Sequence, residues 1–258
     1  MNLYFSNTSD QDPTNANNWW DGTGGTGANG YTPTGSDDCF IDASQTCNDS
    51  NFTYGSLTVN GTLTTNTSGK VVVTNNANIG DNYGTVTTNN GTIGSNQSGA
   101  TVVINSAVIS SRISGGTTTT EYEAVDIPSG YTVVNLYAGI TNNYGIIGTL
   151  VGVTVENNHG TITTVNSTST VSYNFSSIVT NNGQVSRNYS GGTITTNSAT
   201  GTVYDNMWGA IITTNNGTLR IGTVTGGTGN IRANATTNLA NHTAGTNVTL
   251  PSGNTTWW

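Results

Sequence analysis

From Gly55 onward, apolar and polar residues alternate in short bursts, each about as long as one strand, and the bursts recur with a common grammar. In the stretch GTVTTNNGTIGSNQS, residues 84–98, a glycine opens a strand that carries Val86, and an Asn-Asn-Gly corner follows. Ile93 then supplies a second apolar position, and an Asn-containing corner closes the unit. Units of this plan begin at Gly55, Gly69, Gly84, Gly99, Gly116, Gly130, Gly145, Gly160, Ser177, Gly192, Gly209 and Gly222, in steps of 13 to 17 residues and most often 15. Self-similarity at a near-constant short period is the signature of a stacked-coil architecture.

A side-chain period of two places the second and fourth residues after each start on one face of a strand. The expected inward pairs are Leu57 and Val59, Val71 and Val73, Val86 and Thr88, Ile147 and Thr149, Ile162 and Thr164, and Ile194 and Thr196. A second strand contributes Leu63, Ile79, Ile93, Val108, Ile140, Val155, Val171, Val185, Val203 and Leu219. Asparagine collects at the corners, with Asn60, Asn75, Asn89, Asn105, Asn135, Asn166, Asn182, Asn197 and Asn215 after the first strand. Asn82, Asn96, Asn143, Asn158, Asn174 and Asn188, with Asn206, come near the end of the unit. Asn tolerates left-handed backbone, and its amide can bond to its copy one coil above, so these residues predict a ladder. Tyr83, Tyr144, His159, Phe175, Tyr189 and Trp208 come next and predict a stripe of stacked rings.

The pattern predicts an all-β fold, a single-chain β-solenoid of about 12 coils of about 15 residues with an N-terminal cap. Asn60-Gly61, Asn90-Gly91, Asn182-Gly183 and Asn216-Gly217 are also hairpin signals, so an antiparallel meander or a trimeric β-spiral fibre shaft is the alternative. Residues 1–54 break the repeat and read as the cap, 55–228 as the solenoid, and 229–258 as a C-terminal cap or assembly segment. In the cap, Trp19 and Trp20 are placed to cover the apolar end of the core, and the carboxylates to discourage edge pairing. A second indole pair, Trp257 and Trp258, closes the chain; with Trp19 and Trp20 it predicts head-to-tail assembly with copies of itself.

Charge narrows the functions. The net charge is −8, and Asp10, Asp12, Asp21, Asp37, Asp38, Asp42 and Asp49 all precede Gly55, where no Lys or Arg occurs. The five cations, Lys70, Arg112, Arg187, Arg220 and Arg232, are scattered, which argues against nucleic acid and anionic membranes as partners. No apolar run reaches the roughly 20 residues of a membrane span. Met1-Asn2-Leu3-Tyr4 lacks the basic and long apolar regions of a secretory signal, so the expectation is a mature chain. Cys39 and Cys47, eight residues apart with no third ligand nearby, predict a local disulfide and an oxidising setting, the alternative being two free thiols. Asp37, Asp38 and Asp42 lack the spacing of a calcium loop, and the reading calls for no metal and no cofactor.

The opening, Tyr4-Phe5 through Asn15-Ala16-Asn17-Asn18-Trp19-Trp20 to Pro33-Thr34-Gly35-Ser36-Asp37-Asp38, resembles the start of uncharacterised secreted bacterial β-solenoid proteins, and the Gly-Thr-Val-Thr-Thr-Asn-Asn-Gly text resembles their repeats. The resemblance implies an extracellular or cell-surface structural protein and carries over no catalytic residues. The expectation is therefore a non-enzymatic subunit of a surface fibre. Fifteen Asn-x-Ser/Thr triplets, among them Asn51, Asn66, Asn90, Asn188 and Asn247, make glycans a further partner to test. Two other classes fit less of the chain. Thr85 and Thr87, Thr117 and Thr119, Thr161 and Thr163, Thr193 and Thr195, and Thr223 and Thr225 form a Thr-x-Thr face similar to β-solenoid antifreeze proteins, interrupted by Lys70, Val72, Tyr131, Ile146 and Ile212. A polysaccharide-binding or polysaccharide-degrading β-helix would need paired carboxylates, for which Glu121, Glu123 and Asp126, with isolated Glu156 and Asp205, are the candidates. His159 and His242 lie at no nucleophile motif.

Overall fold

Threonine, valine and isoleucine favour the pleated, half-buried surface of a strand, and here they form strands of four or five residues separated by tight corners. In Thr85–Asn89 and Thr92–Asn96 the second and fifth side chains are buried, while the first, third and fourth are partly exposed. The computed structural model describes residues 1–6, 10–207 and 210–219, and beyond them only the strands Ile231–Ala233 and Val248–Thr249. Trp208, His242, Asn247, Trp257 and Trp258 lie outside the described residues. The architecture is an all-β solenoid of about 11 turns with coils of about 16 residues, in which each strand pairs in parallel with its counterpart one coil away. Parallel pairing within one chain excludes the meander and the intertwined trimer.

The chain forms two compact units, Met1–Glu123 and Ala124–Trp258. In the first, one sheet stacks Ser56–Val59, Val71–Asn75, Thr85–Asn89, Thr101–Asn105 and Thr117–Glu121. The other stacks Thr46–Asp49, Thr62–Asn66, Asn78–Asn82, Thr92–Asn96 and Ile109–Arg112. In the second unit the first sheet runs through Thr132–Leu136, Ile146–Leu150, Thr161–Val165, Ser177–Asn181, Thr193–Asn197 and Ile211–Asn215. The second sheet runs from Ile140–Asn143 through Thr154–Asn158, Thr170–Asn174, Gln184–Asn188 and Thr202–Asn206 to Thr218–Leu219. Each core is thin. In the second unit a column of Val133, Ile147, Ile162, Ile178, Ile194 and Ile212 faces a column of Ile140, Val155, Val171, Val185, Val203 and Leu219, with Ile127, Tyr131, Leu136, Ala138, Leu150 and Val165 completing the cluster.

The expected inward phase needs two corrections. At the fourth position Thr88, Thr149, Thr164 and Thr196 are partly exposed, and the fifth residue points inward instead. The chain is already bending into its corner there, so strict alternation is lost. Val71 and Val73 face solvent and Val72 is fully buried, while Val108 is exposed and Ile109 enclosed. Ser68-Gly69 is a turn with Gly69 in left-handed backbone, so the strand starts later than its glycine suggests. Other glycines are required by close approach: a Cβ on Gly91 would collide with the Ala77 carbonyl of the coil below.

At the N-terminus, β1 (Asn2–Phe5) pairs in parallel with β4 (Asp38–Ile41) and antiparallel with β2 (Trp19–Gly22), which in turn pairs antiparallel with β3 (Thr26–Asn29). Solenoid register starts inside the stretch read as the cap, since Cys39 of β4 pairs with Leu57, and Cys47 of β5 (Thr46–Asp49) with Leu63.

Candidate functional site

The fifth, inward position of each strand holds the most regular chemistry. At one corner of the second unit, Asn143 Nδ2 donates to Asn158 Oδ1 at 2.8 Å, Asn158 to Asn174 at 2.8 Å, Asn174 to Asn188 at 2.7 Å and Asn188 to Asn206 at 2.8 Å. In the first unit Asn66 donates to Asn82 and Asn82 to Asn96, both at 2.7 Å, and across the coil Asn75 donates to Asn89 and Asn89 to Asn105. A buried amide left unpaired costs about 1–3 kcal/mol, and in-register stacking satisfies both ends of each rung. The ladder expected at Asn82, Asn96, Asn143, Asn158, Asn174 and Asn188 is thus present. It extends to Asn66 and to Asn181, the latter donating to Asn197 at 2.7 Å. Asn135, Asn166 and Asn182 lie off the ladders; the inward residues beside them are Leu136, Val165 and Asn181.

Two ladder positions in the last coil of the first unit carry opposite charges. Arg112 is in register with Asn96, and Glu121 with Asn105. The Arg112 guanidinium donates from Nη2 to Glu121 Oε2 at 3.1 Å and to Glu123 Oε2 at 2.8 Å, and from Nη1 to the Ile109 carbonyl at 2.8 Å. Asn105 closes the network by donating to Glu121 Oε1 at 2.6 Å. Burial pushes the Glu121 carboxyl up, against the opposing charge of Arg112. Glu121 and Glu123, candidates for a hydrolytic pair, are both partners of one arginine.

Cys39 and Cys47 are free thiols, which corrects the expected disulfide. They belong to opposite sheets, which pack about 10 Å apart face to face, whereas a disulfide needs Cα atoms about 4.4–6.8 Å apart. Both fill core slots, and burial pushes each thiol up to about 12. The free thiols remove the disulfide as an argument for an oxidising compartment.

Trp19 is fully buried, edge-on to Phe5 at 5.2 Å and tilted against Phe52 at 5.0 Å, with its Nε1 donating to the Pro13 carbonyl at 2.7 Å. It covers the core end, and its enclosed ring offers no surface to another molecule. Trp20 is only half-buried. The cap carboxylates accept hydrogen bonds from their surroundings: Asp21 from Ala28 N and Tyr31 Oη, Asp37 from Thr34, and Asp38 from Ser56. The Thr34 hydroxyl, with the Met1 ammonium, holds Asp37 down at about 2.

On the outside, the two sheets differ. From Ser56–Val59 onward, no described outward position of the first sheet in either unit carries a charge or an aromatic ring. Its rows are mostly threonine, valine and isoleucine, broken by Ser56, Asn135, Gly148 and Ser177, and Thr149, Thr164, Thr180, Thr196 and Thr214 stand in unbroken register. Val72 and Ile212, expected to interrupt this face, point inward, whereas Ile146 does lie on it. The outward charges of the second sheet include Asp81, Glu156, Arg187 and Asp205. At the adjoining corner Tyr144, His159, Phe175 and Tyr189 stack with centroids 4.8–5.1 Å apart and planes within 8°, as the stripe predicted. On the second sheet of the second unit a groove of about 530 Å³ is lined by Asp126, Ile140, Thr141, Thr154, Glu156 and Tyr173, among others. Comparison of the chain with protein-family models, with characterised proteins and with solved structures finds no match.

Proposed function

We propose that this protein is an extracellular structural protein, a β-solenoid subunit of a surface fibre or filament that adds copies of itself head to tail. The observation that carries the reading is the polarity of the coils. The solenoid strands pair in parallel, and in the buried ladders each Asn amide donates to the Asn one coil nearer the C-terminus. A polar stack has unlike ends, and unlike ends meet in heterologous contacts that build open filaments. With Trp19 enclosed, the N-terminal contact falls to β3. Among the described residues β3 pairs only with β2, its four residues are exposed, and its other edge is open for a strand. Sites for glycans are narrowed in the same way. Asn66, Asn96, Asn174 and Asn188 hold their amides in ladders, whereas Asn51 and Asn90 are exposed.

Electron micrographs across a range of concentrations, with and without residues 251–258, test the proposal. Filaments that vanish on the deletion while thermal unfolding is unchanged support end-to-end assembly. Single particles at every concentration contradict it.

The uncharged threonine rows favour a second reading, an ice-binding face. Hydroxyls and methyls repeat at the strand spacing of about 4.8 Å along the sheet, without the aromatic and arginine side chains that enrich protein interfaces. Thermal hysteresis of the purified chain, lost when Thr164, Thr180 and Thr196 are replaced by lysine, would establish that reading in place of the first.

A further inference from the structure

We infer that the groove on the second sheet of the second unit binds a neutral carbohydrate chain. Three adjacent strands build its floor. Ile140, Val155 and Val171 are in register and point into the core, so the residues that follow them, Thr141, Glu156 and Ser172, point outward side by side. Neighbouring coils lie about 4.8 Å apart, close to the span of one sugar ring. The side chains of Thr141, Thr154, Glu156 and Ser172 make no hydrogen bond among the described residues, and all four line the groove. They are acceptors and hydroxyls left for a ligand rich in hydroxyl groups.

Tyr173 supplies the apolar platform. It is in register with Asn157, is half-buried, and packs at a tilt against the Tyr189 ring at 5.9 Å. A pyranose presents one apolar face of C–H groups to such a ring and its hydroxyls to the sides. On the far side Asp126 is fixed by the backbone N–H of Asn142 at 2.7 Å and by its amide at 2.9 Å, which leaves a rigid carboxylate on the rim. The lining has no Lys or Arg, and Asp126 and Glu156 repel anions. Phosphorylated and uronate ligands are therefore disfavoured, and the lining is too polar for a lipid. The volume is within the range of small-ligand sites.

Native electrophoresis of the full chain through gels cast with β-glucan, xylan or galactomannan, and with polygalacturonate as the anionic control, tests this. At least one neutral polymer should retard the protein, in high salt as in low. Tyr173→Ala and Glu156→Gln should each weaken the retardation roughly tenfold, and Tyr83→Ala, in the other unit, should leave it unchanged. Retardation by none of the neutral polymers overturns the inference, as does retardation undiminished in Tyr173→Ala. Retardation by polygalacturonate alone overturns it in favour of a charge-driven partner. Filament formation is read separately, so failure here leaves the structural proposal standing.

Discussion

At the scale of single residues, stability turns on which side chains enter the thin core. Val72 lies between two exposed valines and is itself fully enclosed. Val72→Asp should therefore destabilise by several kcal/mol, of the order of 3–5, because an unpaired charge would enter a dry interior. Val73→Asp should cost no more than about 0.5 kcal/mol. Urea unfolding of the two variants decides the phase: equal losses would mean that the inward positions are misplaced. The same contrast is expected between Ile162→Asp and Thr163→Asp. The thiols give an independent check, because burial holds Cys39 and Cys47 protonated. The native protein should take up no alkyl group, and the denatured protein two without any reductant. Mass measurement that finds none after denaturation would restore the disulfide.

At the scale of strands and corners, an inward fifth position tolerates asparagine, an apolar residue or a charge pair, provided that neighbours agree. Asn158 has an asparagine on each side, so Asn158→Leu strands the Asn143 donor and the Asn174 acceptor and should cost about 2–4 kcal/mol. Asn181 follows Val165 and donates only to later residues, so Asn181→Leu should cost about half as much. Costs in the reverse order would contradict the ladder.

Arg112→Asn leaves Glu121 buried without its counter-charge and should cost about 3–5 kcal/mol at neutral pH. Adding Glu121→Asn should recover most of that, since both sites are ladder positions. The pH dependence of the single variant has a definite sign. Burial raises the Glu121 carboxyl above its ordinary value, so the folded state binds the proton more tightly than the unfolded one. The loss should be smallest below the ordinary value of about 4.5 and grow as pH rises through the raised folded value. A loss that is flat with pH, measured by thermal unfolding from pH 4 to 8, would show that Glu121 finds another partner.

Much of this was legible in the letters. The period, the parallel coils, the ring stripe and most ladder rungs follow from Gly, Asn and aromatic residues each keeping one place in the unit. Three features were not. The phase at Val71–Val73 and Val108–Ile109 was ambiguous, because adjacent apolar residues fit either face and corner lengths vary by a residue. Arg112 and Glu121 carried a signal, their alignment with Asn96 and Asn105, but it is visible only once the half-coil is counted as the repeat. The two cysteines lie about one half-coil apart, a spacing that sends them to opposite sheets. The groove has no sequence signature, since Thr141, Thr154, Glu156 and Tyr173 meet only through coil stacking.

At the scale of the whole molecule, the two units follow one plan. At the corner after the first sheet, the first unit passes from Phe5, Ile41 and Val59 to Asn75, Asn89 and Asn105. The second passes from Leu136, Leu150 and Val165 to Asn181, Asn197 and Asn215. Each unit thus runs from an apolar start to a polar continuation, which gives it direction as well as stability. In a repeat protein each coil is stabilised mainly by its neighbours, so the buried ladders are the contacts on which that direction and the thin cores both rest. Hydrogen exchange of asparagine side-chain amides, followed by NMR on the intact protein, tests this most directly. The carboxamide protons of Asn82, Asn89, Asn158, Asn174 and Asn197 should exchange as slowly as the backbone amides of the strands beside them, while those of exposed Asn51 and Asn166 exchange at once. Fast exchange of all asparagine side chains alike would contradict it.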